Sequence, residues 1–191
     1  MNETRTIAEW AVSLKLAEIP EDVKAHARRF ILDNFGCQIA GATLPWSKDY
    51  REVITRTRSG NGATVAYYGD RLAPDDAAFL NSAFNHANET DDTHLKSPTH
   101  PGGIAVPAAL AMAEASGASG ERLLQGIIAG YEVSNRIARV MVPAHYEFWH
   151  TTGTVGHFGA AVAASVVLQL DEGQTAHALA GVGSMAAGLQ Q

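Results

Sequence analysis

Apolar residues recur at three- and four-residue spacing through most of the chain, the pattern of helices with one buried face. Ile7, Trp10, Ala11 and Leu14 share such a face, with Thr4 or Thr6 as the expected N-cap. Pro20, Glu21 and Asp22 open a second helix, because proline fits the first turn and acids suit the positive end of the dipole. Its apolar face runs through Val23, Ala27, Phe30, Ile31, Asn34 and Phe35 towards a stop near Gly41. Pro45 begins a third helix, apolar through Trp46, Tyr50, Val53 and Ile54, with Arg51, Arg56 and Arg58 opposite. After a turn at 59–62, the stretch Ala63 to Tyr68 is the one strand candidate, too little to make a sheet by itself. Asp75 is placed to cap a helix through Ala78, Leu80, Ala83 and Phe84.

A polar stretch over 86–103 separates these from four later helices, at about Ile104 to Ala115, Gly120 to Val140, Thr151 to Leu168 and Glu172 to Ala187. Ser119 and Asp171 suit N-caps, and Gly117 and Gly188 suit stops. Gly153, Gly156, Gly159, Ala160, Ala163 and Ala164 put small residues at helical spacing. Each interior glycine costs a helix about 1 kcal/mol against alanine. Several together predict backbones in close contact, and so a fully buried central helix at 151–168. The expected fold is all-α: one bundle-like domain over 1–191, with at most one minor strand or hairpin.

Composition narrows the function. The 191 residues are 46% hydrophobic and 18% charged, enough apolar material for a packed core. Fourteen basic residues against 20 acidic ones leave a net charge of −6, which argues against a nucleic-acid partner. A small anion held by a local field stays open. The single cysteine, Cys37, allows no internal disulfide, and its place in the apolar second helix keeps the thiol protonated. No basic-then-apolar leader opens the chain, and no apolar run reaches the ~20 residues of a membrane span. The expectation is a cytoplasmic chain without a membrane partner.

Of eight histidines, His86, His94, His100 and His150 lie in or beside polar, turn-rich segments. Glu89, Asp91, Asp92, Thr93, Lys96 and Thr99 share the first segment, which Pro98, Pro101, Gly102 and Gly103 pin. It reads equally as a functional loop or as a solvated connection. His150 precedes a helix that Thr151 or Thr152 can cap, with Gly153 leaving its first amides uncovered for a carboxylate or phosphate. His157, about 10.5 Å further along that helix, reads as a core histidine. His86 with Glu89, and Asp92 with His94, offer metal-ligand types, but their spacing matches no familiar site, and no nucleotide-binding glycine loop occurs. No metal or cofactor is expected. Proton transfer by histidines and carboxylates on a small anion remains.

The stretches HANETDDTHL from His86, THPGGIAVPAALA from Thr99, GIIAGYEV from Gly126, HTTGTVGHFGAA from His150 and ILDNFGCQIAG from Ile31 resemble the MmgE/PrpD family. The resemblance spans nearly the whole chain. It implies a cofactor-independent, homodimeric enzyme acting on di- or tricarboxylates, with a large helical domain and a smaller lid. Members include 2-methylcitrate dehydratase, cis-aconitate decarboxylase and iminodisuccinate epimerase. Motif by motif, it implies that His100 and His150 are catalytic acid/base groups, and that Glu89, Asp92 and Thr93 bind substrate or orient the histidines. Glu89 stands where the decarboxylases carry Asp, and the segment from Thr93 to His100 is one residue longer than theirs. The resemblance therefore points first to dehydration of a 2-methylcitrate-type acid, with epimerisation or decarboxylation of a related acid open. Family members run to more than twice this length, so it also implies that the lid, with an active-site lysine and tyrosine, is supplied beyond residue 191 or by a second chain. On that basis residues 1–191 alone are expected to be inactive and to associate, because helices 151–168 and 172–187 need a cover. The rival expectations are a non-catalytic helical dimerisation or ligand-binding module and, third, a metal hydrolase.

Overall fold

A computed structural model describes residues 2–189. Eight α-helices, α1 (Glu3–Ser13), α2 (Glu21–Ala42), α3 (Pro45–Thr57), α4 (Pro74–His86), α5 (Gly102–Ser116), α6 (Gly120–Met141), α7 (Thr151–Val167) and α8 (Glu172–Val182), make up most of it. The structure is 71% helical, so the all-α reading holds. Between α3 and α4 lies one antiparallel pair, β1 (Ala63–Thr64) and β2 (Arg71–Leu72), in register Ala63 to Leu72.

The strand expected over 63–68 is only two residues long because the chain turns back at once. Val65 N–H donates to Asp70, Gly69 N–H donates to Val65, and Tyr67 and Gly69 take positive φ. The Asn81 side chain clasps this turn, accepting from Ala66 N–H and donating to the Thr64 carbonyl. Ser119 and Asp171 cap α6 and α8, Asp171 in a reciprocal capping box with Gln174. Three expected caps differ. Asn2, not Thr4 or Thr6, caps α1. Asp75 sits inside the first turn of α4 behind Pro74. The chain enters α7 through His150, whose side chain makes no cap bond.

α7 lies at the centre, as its small residues predict, and α5 shares that position. On one side Val162 and Val166 pack with Ala8, Ala11, Val133 and Leu179. On the other, Ala163 and Val167 pack with Val106, Ala109, Ala113 and Ile127. The helix expected to need a cover from elsewhere is thus buried by α1, α5, α6 and α8 of the same chain. A third cluster joins Leu80, Phe84, Val65 and Leu72 around the hairpin.

Two helices hide only part of the face that the pattern predicts. On α2 the expected Ala27 and Asn34 are buried, with Cys37 and Gln38, and Ile31 and Phe35 are half-buried, while Val23 and Phe30 stay exposed. α3 buries only Ser47, while Trp46, Tyr50 and Val53 stay open. α8 also stops early, at Val182, in a 3-10 turn over Gly183–Met185. Gly188, expected as its stop, lies at φ +103° in the segment that follows. Among the described residues, no helix is long and apolar enough to cross a membrane.

Candidate active site

Three helix ends meet at one point. His86 is the last residue of α4, His100 lies two residues before α5, and His150 is the N-cap of α7. Their ring centroids are 4.8 Å (His86 to His100), 6.1 Å (His86 to His150) and 6.3 Å (His100 to His150) apart. All three are half-buried, so each is fixed by the protein yet reachable from solvent. His100 and His150 were expected together, and His86 joins them.

Local bonds place each ring. The segment 94–99 is a closed turn: His94 N–H donates to the Thr99 carbonyl at 2.8 Å, and buried Ser97 bonds the His94 ring and Thr99. Thr99 in turn donates to Asn135 of α6 at 3.0 Å. The 94–99 turn is therefore tied to the core through Thr99, while Glu89, Thr93, Leu95 and Lys96 stay exposed. His100 N–H donates to the Thr152 hydroxyl at 3.0 Å, so that hydroxyl ties the loop to α7 in place of capping it. His150 N–H donates to the Gly188 carbonyl at 2.6 Å. Gly153 was expected to leave the helix end bare, but the returning chain lies across it. A Cβ there would sit 3.2 Å from Gly188 Cα and 3.3 Å from the Ala187 carbonyl, so the glycine admits the returning chain.

The remaining expected residues surround the cluster at different depths. The Thr93 hydroxyl is exposed, 3.4 Å from His100 Nδ1. Glu89 is exposed at φ +52°, and its charge favours the protonated rings of both His86 and His150 without setting the direction of either shift. Asp92 holds His100 with its backbone: His100 Nδ1 is 3.1 Å from the Asp92 carbonyl. Its carboxylate turns away, accepting from Gly102 N–H at 3.1 Å beside the Tyr131 phenol. Burial pushes that carboxyl up to about 6, and the phenol and the Gly102 amide oppose the rise. His157 is half-buried and outside the cluster, and no described residue bonds its ring.

Sequence reasoning missed Asp91 and the weight of His86. The His86 Nδ1 lies 3.0 and 3.2 Å from the two Asp91 oxygens, and this bond raises its pKa despite burial. His150 moves the other way, lowered by burial and by the two neighbouring imidazoles. The signal was available as an acid five residues after a histidine at a helix end.

Ligand nitrogens of the three histidines all lie within 4.8 Å of one another. Nitrogens around a tetrahedral zinc stand ~3.3 Å apart, given Zn–N of ~2.05 Å. The three rings are thus close enough together to hold a metal ion or to hydrogen-bond one anion. Of the pairs first considered as ligands, Asp92 and His94 are split, since His94 faces Ser97 and Asp92 faces Gly102. Wide concavities lie elsewhere: one along α1 and α6 with a mostly apolar lining that includes Glu3 and Arg136, and one beside Leu16 and Ala17 lined by Lys24, Arg28 and Glu121.

Comparison with known proteins decides the family. The MmgE/PrpD N-terminal domain matches residues 5–191. The chain belongs to the MmgE/PrpD family. It is 32% identical over 197 residues to the cis-aconitate decarboxylase-like protein oryM of Aspergillus oryzae, covering 98% of this chain and 41% of that protein. It is 32% identical over 193 residues to the cis-aconitate decarboxylase of Aspergillus terreus, covering 97% and 39%. Against the Homo sapiens cis-aconitate decarboxylase it is 32% identical over 190 residues, covering 93% and 38%. The chain thus spans about two fifths of the length of these relatives.

Proposed function

We propose that this chain supplies the histidine side of the active site of a lyase that decarboxylates a small tricarboxylate of the cis-aconitate type. The observation that carries the reading is the convergence of His86, His100 and His150, from three helix ends, on one solvent-reachable point. Loss of CO2 leaves negative charge on carbon next to a carboxylate. Imidazolium groups stabilise that charge and the remaining carboxylates, and one of them returns a proton to carbon. His100 and His150 take the acid/base and carboxylate-binding roles, Thr93 and Glu89 face the substrate, and Asp92 holds His100 through its carbonyl. The names of the relatives favour decarboxylation. Dehydration of a 2-methylcitrate-type acid is the second reading, favoured by Glu89, and uses the same groups to remove an α-proton and protonate the leaving hydroxyl. A second copy of the chain covers the exposed apolar band of Trp46, Tyr50, Val53 and Phe79.

The test is turnover of cis-aconitate and of 2-methylcitrate in the family-length enzyme, following CO2 and the dehydrated acid separately. The expected result is CO2 release, with His100→Ala and His150→Ala each lowering the rate at least ~10²-fold, the lower range for a positioned acid or base. Residues 1–191 alone are expected to turn over neither acid. Wild-type rates in both variants would remove the histidines from the mechanism, and dehydration without CO2 would select the second reading.

A further inference from the structure

We propose that His86 is a third substrate-facing histidine of this site, and that Asp91 is the positioning residue that sets which of its nitrogens faces the substrate. The inference rests on the reading of the cluster as a polycarboxylate site and adds two residues to it.

An ionised carboxylate only accepts, so the contacts of 3.0 and 3.2 Å from both Asp91 oxygens fix a proton on His86 Nδ1. Nε2 is then the free end of the ring, and no described residue bonds it. His86 leans against His100 with centroids 4.8 Å apart, and lies 6.1 Å from His150. Three imidazoles around one space suit a ligand with more than one carboxylate better than two do.

Asp91 is an expensive residue to place where it is. Its side chain is 1% exposed, and a buried carboxylate is costly unless its lone pairs are met. They are met by a relay that runs in one direction through buried amides. Gln38 donates to the Asn34 carbonyl oxygen, Asn34 donates to Asn85 at 2.6 Å, and Asn85 donates to Asp91 Oδ2 at 3.0 Å. Asn34 and Gln38 come from α2 and Asn85 from α4, all at most 2% exposed. Turning Asn85 over would set its oxygen against the carboxylate, so the relay has one orientation and ends on a negative acceptor. Gly103 makes room for it, since a Cβ there would stand 2.9 Å from Asn85 Nδ2 and 3.2 Å from Asp91 Oδ2. This is more construction than a helix terminus needs, and its output is the angle and protonated nitrogen of His86.

His100 supplies an internal control. Its Nδ1 is 3.1 Å from the Asp92 carbonyl and 3.5 Å from Asp91, so its own proton has a second holder. Asp91 therefore governs His86 more than His100.

The experiment records imidazole ¹⁵N spectra of the chain at alkaline pH, where the rings are neutral and each nitrogen reports whether it carries hydrogen. The result expected is Nδ1–H on His86 in the wild type, a shift of His86 towards Nε2–H in Asp91→Asn, and His100 unchanged. His86→Gln is expected to weaken cis-aconitate binding, by calorimetry, at least tenfold while His100 keeps its tautomer. An Nε2–H tautomer of His86 in the wild type overturns the role of Asp91 without any variant having to fold. An unmoved tautomer in Asp91→Asn does the same, and unaltered binding in His86→Gln removes His86 from the substrate. If the wild type binds no cis-aconitate, the substrate reading fails, and the wild-type tautomer still decides whether Asp91 positions His86.

Discussion

The seam between α6 and α7 and the histidine end of the molecule are both buried, but by opposite means. At the seam the backbones touch. A Cβ on Gly130 would lie 2.8 Å from the Gly159 carbonyl, and one on Gly159 would lie 2.9 Å from Ser134 Cβ and 3.0 Å from the Gly130 carbonyl. Nothing there depends on charge, and nothing there has room for a methyl group. At the histidine end the buried residues are Asn34, Gln38, Asn85, Asp91, Ser97 and Thr99, and what holds them is a set of matched donors and acceptors. Shape governs the first region and hydrogen-bond completeness the second. A fold that relies on the first for stability is free to use the second to place titratable groups.

The comparison breaks most severely at the seam. Gly159→Leu is expected to cost at least ~3 kcal/mol or to prevent folding, the upper end for overpacking a core, measured by urea denaturation. A loss below ~1 kcal/mol would mean that α6 and α7 can part, and that the small residues are not what sets their distance.

A smaller effect, and one that depends on pH, is expected at the polar end. The folded-state pKa of Asp92 is raised to about 6 from 3.8, chiefly by burial. Stability linked to that proton is fully present below the ordinary carboxyl pKa and is lost as pH rises through about 6. Above this the wild type carries a buried charge. Asp92→Asn keeps an acceptor for Gly102 N–H and never ionises. It is expected to be more stable than wild type by up to ~2 kcal/mol at pH 8, with the advantage gone near pH 4. An advantage equal at both pH values would show that packing against Tyr131, and not ionisation, makes the difference.

The two regions also differed in how far the sequence disclosed them. Small residues at helical spacing revealed the seam, because close packing leaves its mark within each helix separately. Ser119 and Asp171 were readable as caps for the same reason, since a cap bonds three residues away. The motifs around His100 and His150 marked those two rings. The relay behind His86 was not readable, because Asn34 and Asn85 are 51 residues apart and meet only when α2 packs on α4. The face of α2 was read only in part for the same reason: Ala27 and Asn34 are buried as expected, but Val23 and Phe30 stay open while Gln38 is buried. Gly153 was read as opening a helix end, and only the fold shows Ala187 and Gly188 returning across it. Local order is written in the sequence as periodicity, whereas partners from distant segments are not.

The central claim is that the three histidines act on one polycarboxylate, and titration of the ¹⁵N-labelled chain with cis-aconitate tests it most directly. The account predicts that the imidazole signals of His86, His100 and His150 move together and saturate at one ligand per chain, while His157, on the same helix as the His150 cap, stays still. Stationary signals from the three, or shifts of His157 as large as theirs, would contradict it.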